Sequence, residues 1–272
     1  MKTLAERKPV GFGIVSTIII FLLYTLASLG LYGLVAPLIG TSPGFLIGGA
    51  LRLAFAVPAI ILLGFIIKDN GFKFTFSSRG FAKSMFAGIP IIIYIVTLAF
   101  YFFNVSKVNA GFVTSIPAYI FQQISVGAFE ESLFRGLLMT ALIARFCDKV
   151  SGRLLTMILC GLLFGLIHFL NVFAGVYVDI SAAFSTAVAL ILPGIAFGAV
   201  YLYSKNLLGC IVLHALYDIV SGLARGLIAE VGNEAVFQSM QSVSSLALVA
   251  MPFLSAIWIV KAKPFCEGYQ RA

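Results

Sequence analysis

GFGIVSTIIIFLLYTLASLGLYGLVA occupies residues 11–36 without one charged side chain. An α-helix needs about 20 apolar residues to cross ~30 Å of hydrocarbon, and this run supplies more. Lys2, Arg7 and Lys8 precede it in the manner of a signal peptide's basic start. The apolar run is too long for a signal peptide and lacks an evident small-residue cleavage site, so it is expected to remain as a membrane anchor.

The pattern repeats along the chain. Further apolar stretches fall at 43–67, 84–104, 117–146, 153–173, 181–204, 207–222 and 239–260. This predicts an all-α, multi-pass membrane protein of about eight transmembrane helices. Composition agrees: 61% of the 272 residues are hydrophobic and 10% charged, whereas a soluble domain carries about 25% charged residues. The expected organisation is three N-terminal transmembrane helices over 1–115, a core over 116–224 containing helices 4–7, and an external loop with a final transmembrane helix over 225–272.

The net charge of +8 does not form a basic face. Lys68, Lys73, Arg79 and Lys83 follow the second apolar stretch, Arg145, Lys149 and Arg153 the fourth, Lys205 the sixth, and Lys261, Lys263 and Arg271 the eighth. The alternate loops hold only Lys107 and Arg225. By the positive-inside rule both termini are expected in the cytoplasm, and an even helix count requires the same. Nucleic-acid binding is set aside, because it needs a contiguous basic patch.

Polar connections are few. Residues 68–83 alternate aromatic and basic side chains, as a segment lying along headgroups does, and 223–238, with Arg225, Glu230 and Glu234, reads as an external loop with helical potential. Cys147, Cys160, Cys210 and Cys266 show no C-x-x-C spacing and are given no role. Glycines at i, i+4 (Gly161 and Gly165; Gly194 and Gly198) are read as close-packing points between helices. Arg52, alone in the second stretch, is expected to snorkel to an interface.

The remaining ionisable groups are concentrated. The chain's two histidines, His168 and His214, lie in apolar stretches, and a third stretch carries Phe129-Glu130-Glu131-Ser132-Leu133-Phe134-Arg135. Each such group costs roughly 2.5–3.5 kcal/mol in a bilayer even on insertion scales, so a cluster of them marks a functional site. On a helix Glu131 and Arg135 share a face at i, i+4, and Glu130, about 100° away, points elsewhere. Glu131 and Arg135 then form a neutral internal pair, leaving Glu130 for general acid/base work. The same spacing puts Phe164 beside His168 and Asp218 beside His214.

Three mechanisms can use this set: water activated by Glu130 and His168 for attack on an amide; a metal such as zinc held by Glu130, His168 and His214; or a proton relay of a transporter. No H-E-x-x-H and no G-x-S-x-G occurs, which speaks against zincin and serine chemistry.

Glu-Glu-x-x-x-Arg at Glu130, Glu131 and Arg135, Phe-x-x-x-His at Phe164 and His168, and His-x-x-x-Asp at His214 and Asp218 together resemble the CAAX protease and bacteriocin-processing family, also called CPBP or Abi. The neighbouring text, Phe164-Gly165-Leu166-Ile167-His168-Phe169-Leu170-Asn171 and Asn206-Leu207-Leu208 leading to Leu213-His214-Ala215, reads like that family's second and third motifs. The resemblance covers about 125–220. It implies an intramembrane hydrolase, a glutamate-type endopeptidase similar to those that process CAAX proteins. Glu130 and His168 would activate water, His214 and Asp218 would stabilise the oxyanion, and Glu131, Arg135 and Phe164 would support them. The family has Asn where this chain has Asp218. An ionised carboxylate would repel an oxyanion, so Asp218 is expected to orient His214 instead.

No cofactor is expected, a divalent metal on Glu130, His168 and His214 being the alternative. The expected partners are a peptide or membrane-protein substrate and the lipid bilayer of a bacterial plasma membrane. A second function carried by the resemblance is a non-catalytic scaffold or bacteriocin self-immunity protein.

Overall fold

The computed structural model describes residues 8–35, 41–67, 75–108, 113–146, 149–172, 179–226, 228–231, 243 and 246–257. They are helical apart from one short strand pair. In hydrocarbon the backbone finds no outside partners, and a helix satisfies its N–H and C=O groups internally, so long uncharged runs have this one solution.

The elements are α1 (Pro9–Val35), α2 (Thr41–Ile66), α3 (Ser78–Ala87), α4 (Ile89–Val105), β1 (Ser106–Val108), α5 (Ile116–Glu131), a π-helical segment (Ser132–Met139), α6 (Thr140–Phe146), α7 (Val150–Phe169), a 3-10 turn (Leu170–Val172), α8 (Ile180–Ser204), α9 (Leu207–Gly226) and β2 (Ile228–Val231). A further helix, α10 (Leu246–Ile257), lies near the C-terminal end.

Four of these, α1, α2, α7 and α8, hold segments long and apolar enough to cross a membrane. A fifth span results if α3 and α4, bent by 64° at their junction, are taken together. Against the expected count of about eight, four or five helices among the described residues qualify on length and composition. Residues 117–146 do become helix, but with Glu130, Glu131, Arg135 and Arg145 along it. The stretches at 207–222 and 239–260 give the shorter apolar helices Leu207–Leu223 and Leu246–Ile257.

Outward faces are apolar. Ile18, Leu22 and Leu26 on α1, Val57, Ile61 and Phe65 on α2, and Ile93, Val96 and Phe100 on α4 are all exposed at helical spacing. Contiguous apolar surface on this scale suits lipid rather than water.

The core surrounds the π-helical segment. All of its residues from Ser132 to Met139 are buried, so the helix is covered on every side rather than on one stripe. A π turn adds a residue to the loop and upsets the backbone ladder. Side chains repair it here: the Thr140 hydroxyl donates to the Arg135 carbonyl at 3.1 Å and the Cys160 thiol to the Phe134 carbonyl at 3.4 Å. With its proton committed, the Thr140 hydroxyl accepts from Tyr201 Oη at 2.9 Å.

Close approaches occur where the glycine spacing predicts them. A Cβ on Gly194 of α8 would lie 3.0 Å from the Gly161 Cα of α7. One on Gly127 of α5 would lie 2.9 Å from the Ile211 carbonyl and 3.1 Å from the Ala215 nitrogen of α9.

Two segments differ from the sequence expectation. The connection ahead of the third apolar stretch becomes helical at Ser78, the start of α3, with the Ser77 hydroxyl accepting from Gly80 N at 3.1 Å as an N-cap. Beyond α9 the chain forms a strand rather than a helix, because Ser106, Lys107 and Val108 pair antiparallel with Val231, Glu230 and Ile228. Glu234, Cys147 and Cys266 lie outside the described residues; Cys160 and Cys210 are buried free thiols.

Candidate active site

Gly127 sits one turn before Glu131, and the absent side chain lets α9 approach α5 closely enough for His214 to reach that carboxylate. His214 Nδ1 lies 2.6 Å from Glu131 Oε1. Arg135 Nη1 donates to the same oxygen at 2.8 Å, and its Nη2 donates to the Gly194 carbonyl of α8 at 3.0 Å. The guanidinium also rests over two rings, 4.9 Å from the Phe164 centroid and 5.3 Å from that of Phe197. Glu131 and Arg135 have no solvent-exposed side-chain surface. A buried ion pair is sustainable when further hydrogen bonds meet its members, and here α5, α8 and α9 all contribute, with Glu131 Oε2 and Arg135 Nε left without partners among the described residues.

Glu130 turns the other way. Its Oε1 is 3.6 Å from His168 Nε2 and its Oε2 is 3.7 Å from His214 Nε2. Its side chain is 16% exposed, against none for Glu131. Adjacent carboxylates therefore have different surroundings: one locked into the core, the other facing two imidazoles at the edge of an accessible space.

Tautomers follow from the partners. His168 Nδ1 lies 2.7 Å from the Phe164 carbonyl, and a carbonyl only accepts, so Nδ1 carries the proton. In the neutral ring this leaves the Nε2 lone pair towards Glu130. At 3.6 Å the two acceptors do not bond to each other, but one water can donate to both. His214 Nδ1 likewise donates to Glu131, whose charge is already matched by Arg135. His214 Nε2 then faces Asp218 Oδ2 at 3.4 Å and Glu130 Oε2 at 3.7 Å.

The shortest contact of His214 is with Glu131 on Nδ1, and Asp218 stands at the opposite nitrogen. Helical spacing correctly brings Asp218 to His214 but cannot tell which ring nitrogen it meets. Tyr119 holds this part of α9 by donating to the Asp218 carbonyl at 2.9 Å.

Aromatic rings fix both imidazoles. Phe164 lies 4.7 Å from His168 and 6.0 Å from His214 between centroids, and Phe197 stacks on His214 at 5.1 Å and 29°. Phe197, Tyr119 and Gly127 are not marked by the ionisable motifs, since a lone aromatic or glycine in an apolar run carries no chemical signature, whereas Gly194 is one of the glycines that the i, i+4 spacing marks. Among the described residues, no group of three or more His, Cys, Asp or Glu side chains is arranged to hold a metal ion.

An apolar cavity of about 250 Å³ lies between α1, the π-helical segment and α7, lined by Thr17, Phe21, Phe134, Leu138, Ile167 and Leu170 among others, with none of the ionisable cluster in its wall.

Residues 111–220 match a family model described as Rce1-like, type II CAAX prenyl endopeptidase. The resemblance drawn from the three motifs is thereby borne out, and the matched segment contains every residue of the polar cluster. It is a peptidase family, and with the apolar helices it identifies a multi-pass membrane protein. Neither the curated proteins nor the solved structures give a significant match.

Proposed function

We propose, from the match of residues 111–220 to the type II CAAX prenyl endopeptidases, that this chain is an intramembrane endopeptidase cleaving a peptide or membrane-associated protein. The observation that carries the proposal is the position of Glu130 between two imidazole Nε2 atoms, 3.6 and 3.7 Å away.

Glu130 and His168 form the water-activating pair. A water donating to both loses one proton to Glu130 as its oxygen attacks the substrate carbonyl. The carbonyl π electrons move to oxygen, and collapse of the tetrahedral intermediate breaks the C–N bond. The proton held by Glu130 passes to the leaving amine. His214, protonated on Nε2, donates to the developing oxyanion. Glu131 and Arg135 hold His214 and the helices around it, and Phe164 supports both rings. Asp218, facing the same His214 nitrogen, sets how strongly that nitrogen is engaged before substrate arrives.

In this proposal the chain crosses the membrane about eight times, α5 to α9 forming the catalytic core over 116–224. The helices of 1–115 and the segment 225–272 flank it. A bacterial plasma membrane with both termini cytoplasmic accords with the loop charges.

The test compares purified wild type with Glu130→Ala and His168→Ala on a fluorogenic prenylated peptide and on membrane-peptide libraries, with and without a chelator. Loss of cleavage in both variants by about 10²-fold or more, unaffected by chelator, is the expected result. Chelator sensitivity moves the chemistry to a metal held by Glu130, His168 and His214. No cleavage by any equally folded form puts the scaffold or self-immunity function ahead.

A further inference from the structure

Arg52 is a charged side chain that the proposed chemistry leaves unused. It belongs to the face of α2 formed by Gly49, Ala56, Ala59, Leu63 and Ile67, all buried. It therefore turns towards the bundle, not to an interface. Gly49 lies against Phe121 and Ser125 of α5, and Leu63 against Gly136, so α2 and the helix of Glu130 run side by side in the same direction. That register puts Arg52 a little over one turn, roughly 6–7.5 Å at 1.5 Å per residue, ahead of Glu130.

Local contacts agree. The guanidinium lies 5.6 Å from the Tyr24 ring centroid, and Tyr24 packs at 4.5 Å on Phe129, the neighbour of Glu130. Yet Nη1 is buried without a hydrogen-bond partner among the described residues.

A cation inside an apolar bundle is costly unless an anion or strong acceptors meet it. The ring of Tyr24 meets part of that need, and Nη1 is left over. Arg135 shows how this fold treats a resident arginine: a carboxylate, a carbonyl and two rings surround it, although its Nε, like Arg52 Nη1, has no hydrogen-bond partner among the described residues. Arg52 has the ring, but among the described residues no carboxylate hydrogen-bonds to it. The anion that every linear peptide brings is its C-terminal carboxylate, and a guanidinium fork matches it in plane and spacing.

We propose that Arg52 is the subsite for the substrate's C-terminal carboxylate, selecting chains that end a few residues beyond the bond held at Glu130. This rests on the peptidase function above and adds a specificity determinant to it. An offset of roughly 6–7.5 Å is about two extended residues at ~3.3–3.6 Å each, and the length of the arginine adds reach. The fragment released is therefore short.

The test uses a fluorescent S-farnesylated peptide with a free C-terminal carboxylate and the same peptide as its C-terminal amide. Binding is measured in detergent on Glu130→Gln protein with and without Arg52→Gln or Arg52→Lys, and cleavage on the forms that retain Glu130. The acid is expected to bind about tenfold tighter than the amide or better, as for a charge-assisted pair. Arg52→Gln should erase that preference and raise KM for the acid more than it lowers kcat, while Arg52→Lys keeps part of it and carries the test if the glutamine variant misfolds. Equal binding of acid and amide overturns the proposal. So does a fall in kcat on both peptides with the preference intact, which would assign Arg52 to Glu130 itself. An Arg52-dependent acid preference without cleavage by any form supports the subsite and defeats the peptidase function; binding of neither peptide to any form overturns both.

Discussion

Glu130 and Glu131 are chemically identical neighbours with opposite predicted phenotypes. Glu131 accepts from Arg135 at 2.8 Å and meets His214 at 2.6 Å, all in the core. Removing its charge leaves Arg135 buried against a neutral partner, and breaking such a pair costs about 3–5 kcal/mol. Glu131→Gln is therefore expected to lower the melting temperature in detergent markedly and to reduce cleavage with it. Glu130→Gln should leave melting within about 2 °C of wild type and remove activity about 10²-fold or more. Equal melting losses in the two variants would contradict this division. Asp218→Asn tests the other departure. Its Oδ2 is 3.4 Å from His214 Nε2, and an amide there can donate where a carboxylate repels. Activity within about tenfold of wild type, or above it, is expected; a loss of several hundredfold with intact folding would make the Asp218 carboxylate essential.

At the scale of the helix, the site depends on how near α9 comes to α5. A Cβ at Gly127 would meet backbone atoms of Ile211 and Ala215, which cannot swing aside as a side chain would. Gly127→Leu should push α9 away, break the Glu131–His214 contact, and cost both stability, about 1–3 kcal/mol as overpacking, and nearly all cleavage. Full activity in that variant would show that Glu131 does not need to hold His214. Helical spacing in the sequence was enough to pair Glu131 with Arg135, to set Glu130 apart and to bring Asp218 beside His214, because those relations are local. Relations between helices were not legible. Arg52 has the same sequence signature at an interface or in a bundle, although the small residues Gly49, Ala56 and Ala59 at helical spacing hinted at a packed face. The π-helical segment was hidden as well, since a backbone carbonyl of it is met by Cys160, and the Thr140 hydroxyl that meets another is held by Tyr201, both from distant parts of the chain. The strand formed by Ile228–Val231 was missed for the same reason: its partner lies at Ser106–Val108, far away in sequence.

Across the whole molecule, connections that the charge pattern assigns to one side do meet at one end. β1 follows α4 and β2 follows α9, and their pairing ties together two connections poor in Lys and Arg, holding Lys107 and Arg225. At the other end, ahead of α3 and α9, Asn206 Nδ2 donates to the Ser77 carbonyl at 3.1 Å, close in sequence to Arg79 in the first turn of α3 and Lys205 at the end of α8. The fold thus separates basic from non-basic connections independently of the positive-inside rule, which then says which end faces the cytoplasm. Single cysteines introduced at exposed Arg79 and at Lys107, in a background lacking Cys147, Cys160, Cys210 and Cys266, should react with a membrane-impermeant maleimide from opposite sides. In intact cells Lys107→Cys is expected to label and Arg79→Cys to label only after permeabilisation. Labelling of both without permeabilisation would break the two-ended arrangement, since Asn206 and the β1–β2 pair could not then lie on different faces of the bilayer. The reverse pattern would keep the fold and invert it, which would place the Arg52 end of the site on the cytoplasmic side and change which peptides can reach it.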